Sequence, residues 1–136
     1  MRTVIVTLCL SLVAPAHAFD VNDALTQIAN KYQVNVATVK AIAEVESGTR
    51  CGIRTGSGKG IMQVQHGAAK SVGGPWPFKN CNDEIEAGVK YLRLAIDKAG
   101  DNCAAYTLYN SGINARIHCS AYGRKVQRAR HKYERN

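Results

Sequence analysis

Asn35-Val36-Ala37-Thr38-Val39-Lys40-Ala41-Ile42-Ala43-Glu44-Val45-Glu46-Ser47-Gly48 is the stretch on which the reading of this chain turns. Asn35 can cap a helix, because its side-chain oxygen accepts from the unpaired amides of a first turn. Behind it Val36, Val39, Ile42 and Ala43 recur at helical spacing, and the pattern stops near Ser47-Gly48. Glu46 continues the apolar stripe, since Val39, Ile42, Ala43 and Glu46 stand at i, i+3, i+4 and i+7. Glu44 lies about 160° away from Glu46 around the helix, on the solvent side. A carboxylate in partly apolar surroundings has a raised pKa, because desolvation disfavours its charged form. A general acid working near neutral pH needs that property. A helix-end glutamate that simply reaches water has the same pattern, so this stretch alone leaves both readings open.

Working outward, Ala24, Leu25, Ile28, Ala29 and Tyr32 predict a preceding helix capped by Asn22. On the other side Gly52, Gly56, Gly58 and Gly60 punctuate a polar segment that excludes helix from Arg50 to about Gly60. Ile61-Met62-Gln63-Val64 is a short apolar run with one polar member, expected as a strand of a small hairpin. Gly73-Gly74-Pro75-Trp76-Pro77 must be loop. A long helix follows Asp83, with Ile85, Gly88, Val89, Leu92, Ala95, Ile96 and Ala99 on one stripe and Gly100 as the stop. Another runs from about Asn102 to Asn110 and ends at Gly112; the last carries Tyr122, Val126, Ala129 and Tyr133. The fold class expected is mainly α: five or so helices, a minor β element and no internal repeat. Strand signals are too few for a doubly wound α/β sheet.

The chain has 136 residues, enough for one domain. An apolar class of 46% with 21% charged residues excludes a disordered chain. The net charge of +8 favours an anionic partner, whether nucleic acid, an acidic membrane face or an acidic polysaccharide. Nucleic acid is not supported, because Arg124, Lys125, Arg128, Arg130 and Lys132 of the last helix are interleaved with no reader motif. Ser57-Gly58-Lys59-Gly60 is not a phosphate loop: that motif needs Gly where Ile53 stands and Ser or Thr in place of Gly60. No G-x-S-x-G elbow occurs, and His66, His118 and His131 sit in no local catalytic signature.

Arg2, the apolar run Val4 to Ala14, Pro15 and the small-x-small Ala16-His17-Ala18 read as a secretory signal, residues 1–18, cleaved before Phe19. The run is far shorter than the ~20 residues of a membrane span, so no stable membrane insertion is expected after cleavage. The domain then covers 19–136, with seventeen basic against ten acidic residues, a charge of +7. Cys9 leaves with the signal, and Cys51, Cys81, Cys103 and Cys119 remain. Four cysteines in a small exported chain suggest two disulfides. No metal is expected, since no two cysteines stand within four residues and no His pair has zinc spacing. Three pairings are open to four cysteines, and the sequence does not choose among them. Cys51–Cys81 with Cys103–Cys119 is the pairing expected, because a helix out from Cys103 and a loop back can bring Cys119 beside it.

Several segments together carry a resemblance. Ala41-Ile42-Ala43-Glu44-Val45-Glu46-Ser47 resembles the A-I-A-x-x-E-S segment of lytic transglycosylases of the soluble, goose-type-lysozyme-like class. Gly60-Ile61-Met62-Gln63-Val64 resembles their G-L-M-Q-V element. Ile85-Glu86-Ala87-Gly88 with Tyr91-Leu92 resembles the N-I-x-A-G-x-x-Y-L helix. Ala104 to Gly112, with Tyr109-Asn110-Ser111-Gly112 at its end, resembles A-x-x-x-Y-N-A-G, and Tyr122 with Val126 resembles the closing Y-V-x-x-V. The five stand in the family's order across about residues 24–130. Glu84 departs from the usual Asn, Ser111 from Ala and Gly123 from Val; the last weakens the closing helix.

The resemblance implies a lysozyme-like, goose-type helical domain that cleaves the β-1,4 bond between N-acetylmuramic acid and N-acetylglucosamine in peptidoglycan. It implies Glu46 as the catalytic acid, which then acts as base toward the muramoyl C6 hydroxyl and leaves a 1,6-anhydro end. Hydrolytic glycosidases normally need two carboxyl groups, and no motif offers Glu46 a partner. The roles implied are Ser47 orienting Glu46 or a sugar amide, Met62 lining an apolar pocket, Gln63 donating to substrate, and Tyr109 packing by the acid and hydrogen-bonding to sugar. Asn110 holds the turn at Gly112, Tyr122 reaches Glu46 from the last helix, and Tyr91 is read as core. No cofactor is implied. Expected partners are peptidoglycan glycan strands and an envelope machine of the secretion, conjugation, pilus or phage kind. The protein is expected to act as an exported monomer, periplasmic or secreted. A hydrolytic muramidase on the same fold and a non-catalytic peptidoglycan-binding assembly factor stay open as alternatives.

Overall fold

The computed structural model describes residues 18–135; the predicted signal segment, except Ala18, lies outside the described residues. Helix α1 spans Val21–Lys31. Its cap is Asp20, not Asn22: the Asp20 carboxylate accepts from the amides of Asn22 at 2.8 Å and Asp23 at 3.1 Å. A full negative charge suits a helix N-terminus better than an amide does. Helix α2, Val36–Ser47, begins under Asn35, whose Oδ1 accepts from Ala37 and Thr38. It stops at Gly48, whose left-handed φ of 65° lets its amide return to the Ala43 and Glu44 carbonyls.

Strands β1 (Arg54–Thr55) and β2 (Gly58–Lys59) form an antiparallel hairpin, with Arg54 opposite Lys59 and Thr55 opposite Gly58. The predicted strand at Ile61–Val64 is instead a turn. Gly60 at φ 79° and Gln63 at φ 50° reverse the chain, and Val64 meets Lys59 only as an isolated bridge. Ile61, Met62 and Val64 are apolar because they plug the core, at 0%, 0% and 3% exposure. Helix α3, His66–Ser71, was not foreseen; its six residues bury only Ala69, too little to write a helical period into the sequence.

Helix α4, Cys81–Ala99, starts after Asn80, whose side chain caps the Asp83 amide, three residues earlier than read from the sequence. Helices α5 (Cys103–Ser111) and α6 (Ala121–Glu134) follow as expected. Five helices close a ring of neighbours: α1 packs on α2, α2 on α6, α6 on α5, α5 on α4, and α4 on α1. Leu25, Ile42, Ile85, Leu92, Leu108 and Val126 fill its centre with no exposed area. Helix α3 leans on α4 from outside. Among the described residues no helix is long and apolar enough to cross a membrane.

Two disulfides tie the ring's margins: Cys51 to Cys81, and Cys103 to Cys119. The second explains the glycine at position 123. A Cβ there would lie 2.4 Å from the Cys103 carbonyl oxygen and 2.8 Å from its sulfur. A side chain at 123 and the disulfide compete for one volume, and the chain carries the disulfide. Gly123 thus brings α6 against α5, where loss of helix propensity alone would suggest only weakening.

Candidate active site

Glu46 sits on the last turn of α2, half-buried, at the wall of a cleft of about 450 Å³. The hairpin forms one side of the cleft through Thr55, Gly56, Ser57 and Gly58; Tyr91, Tyr109 and Asn110 form the other. Glu46 is the only carboxylate on the lining among the described residues. The α2 helix brings it there because Val39, Ile42 and Ala43, on the same stripe, are fully buried. Glu44 points elsewhere, yet it is not simply solvated. It accepts from Lys132 Nζ at 3.0 Å and from the Tyr133 hydroxyl, fastening α2 to the end of α6.

Tyr122, from the first turn of α6, donates its hydroxyl to Glu46 Oε1. Glu46 accepts no other hydrogen bond among the described residues, so its second oxygen has no protein partner. Burial lifts the Glu46 carboxyl above the usual carboxylate range. The Tyr122 hydroxyl and, after it, the Lys125 charge pull it back without cancelling the rise. The same burial, reinforced by the Glu46 charge, pushes the Tyr109 and Tyr122 phenols well above their ordinary range.

The other residues singled out from the sequence divide. Tyr109 lines the cleft at 7% exposure, and its hydroxyl donates to the Met62 carbonyl at 2.7 Å. Asn110 is exposed on the cleft wall. Ser47 does not reach Glu46. Its hydroxyl donates to Ile61 O at 2.8 Å and accepts from Arg50 N at 3.0 Å, sewing the end of α2 to the turn after the hairpin. Met62 is not on the lining of this cleft: it is fully buried with its sulfur against Gly88 of α4. Gln63 does line the cleft, but both amide hydrogens are spent, on Ile53 O at 3.1 Å and Gly60 O at 2.8 Å. Its oxygen accepts from Thr55, so Gln63 braces the hairpin. Tyr91, read as core, is also cleft wall; its ring tilts on Tyr109 at 5.7 Å and its oxygen accepts from Ile113 N at 3.0 Å.

Glu84 was noticed only as a departure from a pattern. It is 8% exposed, and its carboxylate accepts from Gly52 N at 3.1 Å and Ile61 N at 2.9 Å, holding both flanks of the hairpin. The signal was present: Glu84, Gly88 and Tyr91 stand at i, i+4 and i+7, the same out-of-place carboxylate that singled out Glu46. Cys51 and Cys81 lie close to Glu84, but as a disulfide they offer no thiolate to a metal.

A family model, that of the transglycosylase SLT domain, matches residues 23–131. This chain belongs to the SLT domain family. The helical ring with its two-stranded hairpin is therefore a mainly α, lysozyme-like SLT fold. The SLT family is made up of lytic transglycosylases, so the function is of the peptidoglycan-acting, lytic transglycosylase type. In this SLT domain the match reaches from α1 nearly to the end of α6, and so covers every wall of the cleft.

Proposed function

We propose that Glu46 cleaves the β-1,4 bond between N-acetylmuramic acid and N-acetylglucosamine without adding water. The observation that carries this is a cleft with one carboxylate, half-buried and engaged by a single tyrosine hydroxyl. A hydrolase of the usual kind needs a second carboxyl group for water or for a covalent intermediate. One suffices when the substrate brings its own nucleophile. In the first step protonated Glu46 gives its proton to the glycosidic oxygen, and the bond from that oxygen to the muramoyl C1 breaks. In the second, ionised Glu46 takes the proton of the muramoyl C6 hydroxyl while its oxygen bonds to C1. The 1,6-anhydro ring closes and Glu46 is protonated again. An intramolecular hydroxyl can act at an effective concentration on the order of 10⁵ M when well oriented.

Tyr122 holds Glu46 in position and steadies its ionised form between the two steps. Tyr109 and Asn110 contact sugar, whereas Ser47, Met62 and Gln63 support the walls. The signal read at residues 1–18 and the two disulfides favour export to the periplasm or beyond, where such an enzyme would open the wall locally for an envelope-spanning machine. The test is digestion of purified peptidoglycan by Glu46→Gln and Glu44→Gln variants. Glu46→Gln is expected to lose about 10²–10⁴-fold in rate with its fold intact, and Glu44→Gln to remain active. Full activity in Glu46→Gln would overturn the assignment.

A further inference from the structure

The hairpin that walls the cleft has a second face. Side chains alternate along a strand, so Thr55 and Gly58 turn toward the cleft, and the opposed pair Arg54 and Lys59 turns away from it. Like charges directly opposite one another destabilise a strand pair. Neither cation here has a carboxylate within ion-pair distance among the described residues. Glu84 borders the same hollow, but its oxygens are taken by the Gly52 and Ile61 amides. The floor is aromatic: Lys59 Nζ stands 4.9 Å from the Trp76 ring centre, His66 stacks on Trp76 at 5.0 Å, and Phe78 meets its edge at 4.9 Å. The hollow measures about 70 Å³ against 450 Å³ for the cleft, the size of one planar anionic group and not of a sugar unit.

We propose that this face is an anion site for a free carboxylate of the peptide stem carried by the glycan strand in the cleft. The inference rests on the peptidoglycan reading above. Arg54 supplies a planar fork for the carboxylate, Lys59 a point charge and Trp76 an apolar bed for the stem's methyl and methylene groups. The two faces are one hairpin apart: Gln65 lines the cleft, and its neighbour His66 stacks on Trp76. The hairpin has only two strands, so a stem leaving the glycan reaches the second face around its edge. The unpaired, mutually repelling cations are then explained as a site that a ligand completes.

Trp76 is the only tryptophan in the chain, so its fluorescence reports on this face alone. The experiment titrates the full mature protein with the free stem peptide L-alanyl-γ-D-glutamyl-meso-diaminopimelyl-D-alanine, followed by fluorescence and by calorimetry in parallel. The peptide carries no glycosidic bond, so the result is independent of whether Glu46 cleaves anything. Expected are saturable binding that weakens with salt and a loss of about tenfold or more, one charged contact's worth, in Arg54→Gln/Lys59→Gln. The same loss is expected for a peptide with its carboxylates amidated. Thermal melts of the double variant should be unchanged or higher, since it removes a repulsion, so a folding defect is read separately. No saturable binding, or equal binding by the double variant or of the amidated peptide, would overturn the proposal.

Discussion

Glu46 and Tyr122 come from helices that are far apart in the chain, and their one hydrogen bond works against the rise that burial gives the proposed acid. Burial raises the Glu46 pKa, and the hydroxyl of Tyr122 opposes it by stabilising the ionised form. Tyr122→Phe removes the opposing contribution. The alkaline limb of the pH–rate profile on peptidoglycan is therefore expected to move to higher pH, and an unmoved limb would mean that the two groups are not coupled. Stability follows the same sign. A carboxyl with a raised folded pKa gives its full contribution below the unfolded value, about 4.3, and loses it as pH rises through the folded one. Glu46→Gln should therefore match wild type in denaturant melts at pH 4 and gain on it by pH 8. Glu46 stands out in the sequence because it continues an apolar stripe, at a position where a charged group needs a reason; Tyr122 fits plain packing on its own stripe, and only the resemblance joins it to Glu46. The intramolecular bonds of Ser47 and Gln63 were not legible, because what a polar side chain bonds to is decided by tertiary contact. The Ile61 carbonyl that takes Ser47 and the Gly60 and Ile53 carbonyls that take Gln63 are at hand only once the turn has formed.

At the scale of elements, α6 delivers Tyr122, and its seat is set by Gly123. Gly123→Ala would put a methyl group 2.4 Å from the backbone oxygen of Cys103, which cannot rotate away. The variant is expected to lose about 1–3 kcal/mol in denaturant melts, as overpacked sites do, and to lose activity as Tyr122 shifts from Glu46. A variant as stable and active as wild type would show that α6 is not seated by this contact. The helices that bury a long stripe were readable to within a residue or two: α2, α5 and α6 stand nearly where their periodicity put them. The hairpin was displaced by several residues, because four polar and glycine-rich residues pair through backbone hydrogen bonds that leave little mark on side-chain pattern. Ile61–Val64 carried the apolar mark instead and turned out to be a core plug.

Across the whole molecule, the cleft exists because a closed ring of helices holds Glu46 on one side and a small, weakly paired hairpin on the other. The hairpin's rigidity comes from its flanks. Glu84 holds the Gly52 and Ile61 amides, and Cys51–Cys81 closes the segment that contains the whole wall. Replacing both cysteines by serine is expected to cost about 3–4 kcal/mol, the entropy of a loop of that length, and to raise KM as the wall loosens; thermal melts and kinetics on the same preparation check it. The central claim is that the bond is broken without water, by one carboxyl acting twice. The measurement that meets it most directly is mass spectrometry of peptidoglycan digested in heavy-oxygen water. Transglycosylation at Glu46 gives muramoyl ends one water lighter than hydrolysis products and free of heavy oxygen. Hydrated ends carrying the heavy isotope would contradict the account and make the protein a muramidase.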